Sequence, residues 1–217
     1  MNARESADQA ARMVKLQCEA RGITDPRVLS AMGRVPRHRF VPSGQKTNAY
    51  EDSPVSIGHG QTVSQPYMVA FMVEALRLTG RERVLEVGTG SGYQAAVLSL
   101  CARQVITVER VPELLETARK RLAELGYRNV RTVLGDGSAG LAEEAPFDRI
   151  IVSAAAPAIP RVLEGQLADN GIMAVPVGDY RFSQVLMVIK RTADRFEAWP
   201  SIGCRFVPLI GVGGFEE

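Results

Sequence analysis

Apolar residues recur at helical spacing in two segments near the start of the chain. The first segment runs from Ser6 to about Arg21 and has apolar residues at positions 10, 13, 14 and 18, which predicts an amphipathic helix. The second begins at Pro26, directly after Asp25, a residue type that caps helices, and it ends before Pro36. Two short helices are therefore expected before residue 36.

Residues 36–66 break this pattern. They are rich in proline, glycine, serine and polar side chains, and they show little periodicity. Connections between elements usually have about 4–6 residues, so a segment of this length is typical of a functional loop or of disorder. From Pro66 onward a helical apolar face reappears, and it closes at Gly80.

An alternation of strands and helices follows Gly80. Apolar runs predict strands at residues 83–87, 104–109, 130–134, 148–153, 171–177 and 185–190. Helical periodicity predicts helices at residues 91–102, 112–125 and 160–167. A last apolar segment, residues 204–210, is a candidate edge strand.

Residues 84–87 and 150–152 are almost continuously apolar, as in parallel strands that are covered on both faces. The alternation of elements then predicts an α/β fold with a doubly wound, mainly parallel sheet. We expect one domain over residues 1–217. Within it, residues 57–217 form the cofactor-binding and catalytic core, and residues 1–56 form a helical and loop extension that covers the site.

Composition narrows the class of protein. The chain has 217 residues, which suit one α/β domain, and its 26 basic and 24 acidic residues nearly cancel to a net charge of +2. Such a charge balance creates no strong electrostatic potential that would attract nucleic acid or an anionic membrane. The three cysteines lack a C-x-x-C pair, and the polar N-terminal segment contains neither a signal peptide nor a membrane span. We therefore expect a cytoplasmic monomer that binds no nucleic acid, membrane or metal.

A glycine-rich loop follows the first predicted strand of the alternation. It reads Gly88-Thr89-Gly90-Ser91-Gly92, and glycines at such a turn let a ligand approach the main chain closely. A dinucleotide site would have the pattern G-x-G-x-x-G, which needs its third glycine at the position of Tyr93. The early third glycine, Gly92, therefore favours a different nucleoside cofactor.

Acidic residues near three successive strand ends indicate which cofactor this is. Glu86 precedes the glycines, where an anion would repel a pyrophosphate but suit the cationic methionine portion of S-adenosylmethionine. Glu109 ends the second strand and could accept hydrogen bonds from ribose hydroxyls. Asp136, beside Gly137, could accept from an adenine amino group. Each acid alone could be a helix cap or a turn residue, but their joint order predicts an S-adenosylmethionine site.

The segment from Ile57 to Met68, IGHGQTVSQPYM, resembles the signature that precedes the cofactor loop in protein-L-isoaspartate O-methyltransferases. Residues 135–137, 145–148, 154–157 and 205–209 are also similar to that family's pattern, so the resemblance spans roughly residues 25 to 210. It implies the class I methyltransferase type of fold with seven strands. It also implies methyl transfer from S-adenosylmethionine to the free α-carboxylate of L-isoaspartyl residues in damaged proteins and peptides, which initiates their repair.

The resemblance also assigns residues. Gln61, Thr62 and Val63 would lie along the cofactor, and Ser64 would hold the acceptor carboxylate. Small residues at the exit of the fourth strand leave room for a substrate main chain, so the expected substrate contacts are Ser64, Ala155, Pro157 and Val207. A carboxylate with an ordinary pKa of about 4 is already ionised at neutral pH and needs no general base. We therefore interpret His59 and His38 as structural residues.

Alternatives remain at this stage. Ser64 could instead cap the helix that begins near Pro66, because hydroxyl residues are common there. The enzyme could methylate a small-molecule hydroxyl or carboxylate, with the loop before Pro66 as a lid over a closed pocket. The chain could also be a binding module without turnover, although the intact acids and glycines argue against such degeneration.

Overall fold

One mixed sheet with helices on both faces forms the centre of the protein. The structure is a computed structural model and describes residues 2–193 and 195–216. The α-helices are α1 (Ala3–Met13), α2 (Pro26–Arg34), α3 (Pro66–Ala75), α4 (Tyr93–Cys101), α5 (Pro112–Glu124) and α6 (Arg161–Gly165). The strands are β1 (Val55–Gly58), β2 (Gln61–Val63), β3 (Arg83–Val87), β4 (Gln104–Glu109), β5 (Val130–Leu134), β6 (Phe147–Val152), β7 (Leu167–Val177), β8 (Gln184–Thr192) and β9 (Arg195–Cys204).

The sheet confirms the predicted doubly wound topology. Its spatial order is β5-β4-β3-β6-β7-β8-β9, and the five strands from β5 to β7 are parallel. The remaining two, β8 and β9, return antiparallel to their neighbours. The chain builds outward from β3 to β5 and then resumes with β6 on the other side of β3. The strand order therefore reverses beside β3, where ligands bind in sheets of this kind.

The core explains why the central strands are so apolar. Successive residues of β3 enter different clusters, since Val84 packs with α4 on one face and Leu85 packs with β4 and β6 residues on the other. Both residues, like Ile150 and Ile151 of β6, are fully buried. Burial on both faces is what the near-continuous apolar runs predicted.

Both predicted N-terminal helices are present. After α1 the helical path continues through a π-helical turn (Val14–Cys18) and a 3-10 turn (Glu19–Arg21), and it ends at Gly22, which has a φ of 92°. The side chain of Asp25 caps α2 by accepting hydrogen bonds from two amides of its first turn. Met13 of α1 and Met32 of α2 are buried in the same apolar cluster as α3 and α4. The extension therefore shares the core of the sheet.

The predicted edge strand at residues 204–210 is wrong. The edge is β9 (Arg195–Cys204), and the later segment has only two isolated bridges among the described residues, Pro208 with Ala155 and Ile210 with Phe215. Most β9 residues are exposed and the strand contains Pro200, so its sequence lacks an apolar alternation. Its conformation comes from pairing with β8, which the sequence of β9 alone does not reveal.

The long segment before α3 is ordered and ends in a hairpin. Antiparallel β1 and β2 are joined by a turn in which Gly58, His59 and Gly60 have φ angles of 89°, 52° and 69°. Glycine adopts such angles freely, so two glycines around His59 suit this turn. After β2 only Ser64 and Gln65 separate the hairpin from α3. Within the part of the chain that the structure describes, no helix combines the length and apolar character needed to cross a membrane.

Candidate active site

A cavity of about 600 Å³ lies at the carboxyl ends of β3, β4 and β6. A volume of this size is in the range of sites for small molecules and cofactors. Its wall is formed mainly by four stretches and the exit of β6, namely residues 61–65, 87–91, 108–112, 202–210 and 153–154. The cofactor loop, the predicted ribose contact Glu109 and residues 61–65, which we call the acceptor loop, therefore meet at one cavity.

The glycine loop crosses the ends of β3 and β4. The amides of Gly88 and Thr89 both donate to the carbonyl of Val108, at 2.9 and 3.2 Å. Gly88 and Gly90 have φ angles of 95° and 51°, which residues other than glycine rarely adopt. Because these two glycines have no Cβ, a ligand can approach their main chain closely along the cavity wall.

Gly92 has a different role from the other two glycines. It is the N-cap of α4 with a φ of 86°, and a Cβ there would lie 3.3 Å from the side chain of Leu122. It does not line the cavity. Gly92 therefore permits the close packing of α4 against α5, and contact with the cofactor remains a prediction for this residue.

Glu109 connects the glycine loop to the start of α5. Its Oε2 accepts a hydrogen bond from the Gly90 amide at 2.8 Å, and its Oε1 accepts from the amides of Arg110 and Val111 at 2.9 and 3.0 Å. A carboxylate offers about four acceptor positions, so roughly one remains, on Oε2, for a ligand hydroxyl. Because Glu109 also lines the cavity, it can hold both the loop and a ribose.

Glu86 lies beneath the loop, behind the cavity wall. It is fully buried, its Oε2 accepts a hydrogen bond from Thr107 at 2.6 Å, and its Oε1 has no hydrogen-bond partner among the described residues. Burial raises the pKa of Glu86 to about 8; the Thr107 bond opposes this rise, whereas the charge of Glu109 adds to it. In the free protein at neutral pH the carboxyl is therefore mainly protonated. The Thr107 hydroxyl is also hydrogen-bonded to the hydroxyl of Thr89, at 2.6 Å. Glu86 therefore supports the glycine loop through Thr107.

Asp136 and Gly137 follow β5. Asp136 accepts hydrogen bonds from the amide and hydroxyl of Ser138, at 2.9 and 2.6 Å, and from the amide of Val212, at 3.1 Å. Its carboxylate thus fastens the C-terminal segment, and its adenine contact remains a prediction. Gly137 does line the cavity, and a Cβ there would lie only 2.7 Å from Val87 Cγ1, so no larger residue fits without a shift.

The predicted acceptor loop forms the opposite wall. Gln61, Thr62, Val63 and Ser64 all line the cavity. The N-cap of α3 is Gln65, and α3 has no side-chain cap. Among the described residues the Ser64 hydroxyl has no hydrogen-bond partner, so the capping alternative is not observed. The Ser64 carbonyl, by contrast, accepts a hydrogen bond from Arg37 at 2.8 Å.

The structure separates the three other predicted substrate residues. Val207 lines the cavity, whereas Ala155 is buried behind it. The Ala155 amide donates to the carbonyl of Val207, and its carbonyl accepts from the amide of Leu209, each at 2.8 Å. Ala155 therefore holds the wall in place, and its substrate contact remains a prediction. Pro157 borders a separate depression with Tyr180 and Phe215, so its position does not support a substrate contact.

Sequence reasoning missed the arginines around the acceptor loop. The guanidinium of Arg21 lies 3.5 Å from the ring centroid of Tyr67 and pairs with Asp52 at 2.9 Å, and Arg21 and Tyr67 both line the cavity. Arg37 is completely buried behind Ser64. The partners of both arginines are remote in sequence, so no local motif draws attention to them.

The reversed strand order, the glycine loop at the exit of β3 and the acid at the end of β4 define a class I, S-adenosylmethionine-dependent methyltransferase. A sequence profile of the family protein-L-isoaspartate(D-aspartate) O-methyltransferase matches residues 8–213. The chain belongs to this family.

Individual relatives agree with this assignment. The protein-L-isoaspartate O-methyltransferase of Synechococcus sp. strain JA-2-3B'a(2-13) is 52% identical over 210 residues, which cover 94% of this chain and 86% of that protein. Protein-L-isoaspartate O-methyltransferase 2 of Marinobacter nauticus is 52% identical over 204 residues, covering 94% and 93%.

Solved structures support the same fold. A protein-L-isoaspartate O-methyltransferase structure has a TM-score of 0.82 and 28% identity, covering 94% of this chain and 66% of that one. A putative protein-L-isoaspartate O-methyltransferase from Plasmodium falciparum, in complex with S-adenosyl-L-homocysteine, has a TM-score of 0.78 and 27% identity, covering 93% and 98%.

Replacing Glu109 should weaken cofactor binding. Glu109→Ala removes a charged acceptor and releases the Gly90 amide, so we expect the dissociation constant for S-adenosyl-L-homocysteine to rise about 10- to 100-fold. Glu109→Gln keeps an acceptor oxygen and should have a smaller effect. Isothermal titration calorimetry measures both, with the exposed Glu113→Ala as the matched control. An unchanged dissociation constant in Glu109→Ala would contradict the assigned role.

The buried carboxyl of Glu86 should make stability depend on pH. Its pKa is about 8 in the folded chain against an ordinary 4.5, so the folded state retains a proton that the unfolded state releases. The free energy of unfolding should therefore fall as pH rises from about 4.5 to 8, by up to about 5 kcal/mol, with no further loss from this group above that range.

Urea unfolding of the cofactor-free protein across that pH range provides the measurement. Glu86→Gln mimics the protonated carboxyl and should flatten the dependence, so that the variant becomes the more stable protein at the alkaline end. Glu143→Gln, at an exposed position, should keep the native slope. Equal slopes in the native chain and in Glu86→Gln would show that Glu86 titrates normally.

Proposed function

We propose that this chain transfers the methyl group of S-adenosylmethionine to the free α-carboxylate of L-isoaspartyl residues in damaged proteins and peptides, with Ser64 holding the acceptor. Membership of the family supplies the reaction and the cofactor. The observation that carries the role of Ser64 is its position on the cavity wall, together with a hydroxyl that has no hydrogen-bond partner among the described residues.

The cavity fits the cofactor. Gly88 and Gly90 expose their main chain on one wall, Gly137 packs directly against Val87 on the cavity lining, and Glu109 retains an acceptor position. These residues would hold the nucleoside portion, and residues 61–63 would lie along its other side. When bound, S-adenosylmethionine supplies an electrophilic methyl group on a sulfonium centre.

The residues around Ser64 suit an acceptor that needs positioning more than activation. An isoaspartyl α-carboxylate is ionised at neutral pH, so no proton has to be removed before it attacks. Ser64 can donate its hydroxyl hydrogen to one carboxylate oxygen, which leaves the other oxygen to face the methyl group. His59 lies on the wall but is exposed and belongs to the hairpin turn, in keeping with a structural role.

The stretch of residues 202–210 on the cavity wall favours a peptide substrate over a small molecule held in a closed pocket. Residues 202–210 bring a long stretch of main chain to the cavity, from the end of the edge strand β9 onward. Segments of this kind can pair with an extended peptide through backbone hydrogen bonds. Val207, on this stretch, is the residue we assign to the substrate main chain.

We further propose that the chain works as a cytoplasmic monomer without nucleic-acid partners. The near-neutral net charge of +2 supports this proposal because it provides no general attraction to polyanions. Cys18, Cys101 and Cys204 are free thiols in the structure, as expected in a reducing compartment.

The reaction can be tested with paired peptides. The purified chain and methyl-labelled S-adenosylmethionine should label a peptide that contains one L-isoaspartyl residue and yield a base-labile ester. The matched peptide with a normal aspartyl residue should stay unlabelled, because its side-chain carboxylate does not reach the same position. Equal labelling of both peptides, or no labelling although the cofactor binds, would overturn the proposed function.

Ser64→Ala should separate acceptor binding from cofactor binding. Loss of one hydrogen bond to a charged acceptor costs about 1.5–3 kcal/mol, so kcat/KM for the isoaspartyl peptide should fall about 10- to 100-fold. The dissociation constant for S-adenosyl-L-homocysteine should be unchanged. Ser30→Ala, at an exposed position on α2, is the control. If Ser64→Ala keeps native kcat/KM, the hydroxyl does not hold the acceptor.

A further inference from the structure

Arg37 is a completely buried arginine that no step of the proposed reaction uses. It lies in the 3-10 turn Arg37–Arg39 after α2, with 0% of its surface exposed. Its Nε donates to the carbonyl of Ala49 at 2.6 Å, and its Nη2 donates to the carbonyl of Ser64 at 2.8 Å. Its Nη1 is buried without a hydrogen-bond partner among the described residues.

No carboxylate pairs with this guanidinium in the described part of the chain. Asp52 acts on Arg37 only at a distance, because it forms its ion pair with Arg21. Burial lowers the pKa of Arg37, while the nearby Tyr93 counteracts the shift. Taking a charge out of water without an ion-pair partner costs several kcal/mol. A side chain that only filled space could avoid this cost by being apolar, so the arrangement calls for another explanation.

The contacts of Arg37 join the acceptor loop to the cofactor loop. Its guanidinium carbon lies 4.6 Å from the ring centroid of Tyr93. Tyr93 is the first residue of α4, directly after the glycine loop, and it lines the cavity. Arg37 itself is absent from the cavity wall. One planar group therefore fixes the main chain of Ser64 and packs against the start of the cofactor-binding helix from behind.

We propose that Arg37 is a positioning residue for methyl transfer: it holds the Ser64 main chain against Tyr93 and so sets where the acceptor carboxylate lies relative to the cofactor. This inference rests on the proposed function. Ser64 can aim a carboxylate only if its own backbone is fixed, and the hydrogen bond to its carbonyl provides that restraint. The buried positive charge behind Ser64 also favours an anionic acceptor over a neutral one.

Arginine suits this position better than lysine does. Its planar, forked guanidinium can donate to two carbonyls in different directions while its face packs on an aromatic ring. An ammonium group would keep the charge but could not reproduce this geometry. The conservative variant Arg37→Lys should therefore be only partly functional, and Arg37→Met, which keeps the volume and loses the charge, should be worse.

The test compares Arg37→Met and Arg37→Lys with the native chain and with Arg39→Met, an exposed arginine of the same turn. Small misplacements of a reacting group can cost about 100-fold in rate, so kcat/KM of Arg37→Met for the isoaspartyl peptide should fall about 10- to 100-fold. Arg37→Lys should lie between it and the native chain. The dissociation constant for S-adenosyl-L-homocysteine should stay native in all three variants.

Hydrogen exchange provides a readout that does not depend on turnover. In Arg37→Met the amides of residues 61–65 should exchange faster, whereas those of β3 should not change. If the native chain fails to label the isoaspartyl peptide, the proposed function is wrong, but the exchange measurement still reports whether Arg37 anchors this loop.

Two results would overturn the role of Arg37. One is a folded variant that melts at a lower temperature but keeps native kcat/KM, which would make Arg37 a residue of stability alone. The other is a parallel loss of kcat/KM and of S-adenosyl-L-homocysteine affinity, which would place its effect in the cofactor site. If Arg37→Met does not fold, the same comparison with Arg37→Lys decides between these outcomes.

Discussion

The parallel pairing of β3 with β4 on one side and β6 on the other is the constraint on which the rest of the structure depends. It requires strands that are apolar on both faces, and it brings three strand ends to one edge of the sheet. The amides of Gly88 and Thr89 can then turn across that edge to the carbonyl of Val108. The cavity, the bare main chain of the loop and the position of Glu109 all follow from this pairing.

Two buried ionisable groups flank the site, and they adapt to burial in different ways. Glu86 can escape the cost of a buried charge by retaining a proton, because its pKa rises to about 8. Arg37 stays charged, and its guanidinium is held by hydrogen bonds to the carbonyls of Ala49 and Ser64 and by packing against the ring of Tyr93. The first group lies under the cofactor loop and the second behind the acceptor loop. Both walls of the cavity therefore depend on polar groups that lie behind the cavity lining.

The N-terminal extension is part of the site's construction. Its helices share the core with α3 and α4, and its 3-10 turn supplies the contact to Ser64. Carboxylate methylation needs no catalytic base, so specificity must come from where the acceptor is held. An extension that fixes the acceptor loop against the cofactor loop fulfils that need. The family assignment supplies the reaction, and the proposed roles of Ser64 and Arg37 make its specificity a matter of positioning.

The sequence by itself determined the order of the elements, the doubly wound sheet, the glycine loop and Glu109, because these depend on periodicity and on spacing within about 30 residues. Only the tertiary structure decided which side chains meet across longer separations. Asp136 fastens the amide of Val212, 76 residues away, and Arg37 holds Ser64, 27 residues away. The edge strand β9 was missed for a related reason, since an exposed strand has no apolar pattern and exists through pairing with β8. Local sequence encodes conformation and burial, whereas hydrogen bonds between distant segments are specified only when the packed core brings those segments together.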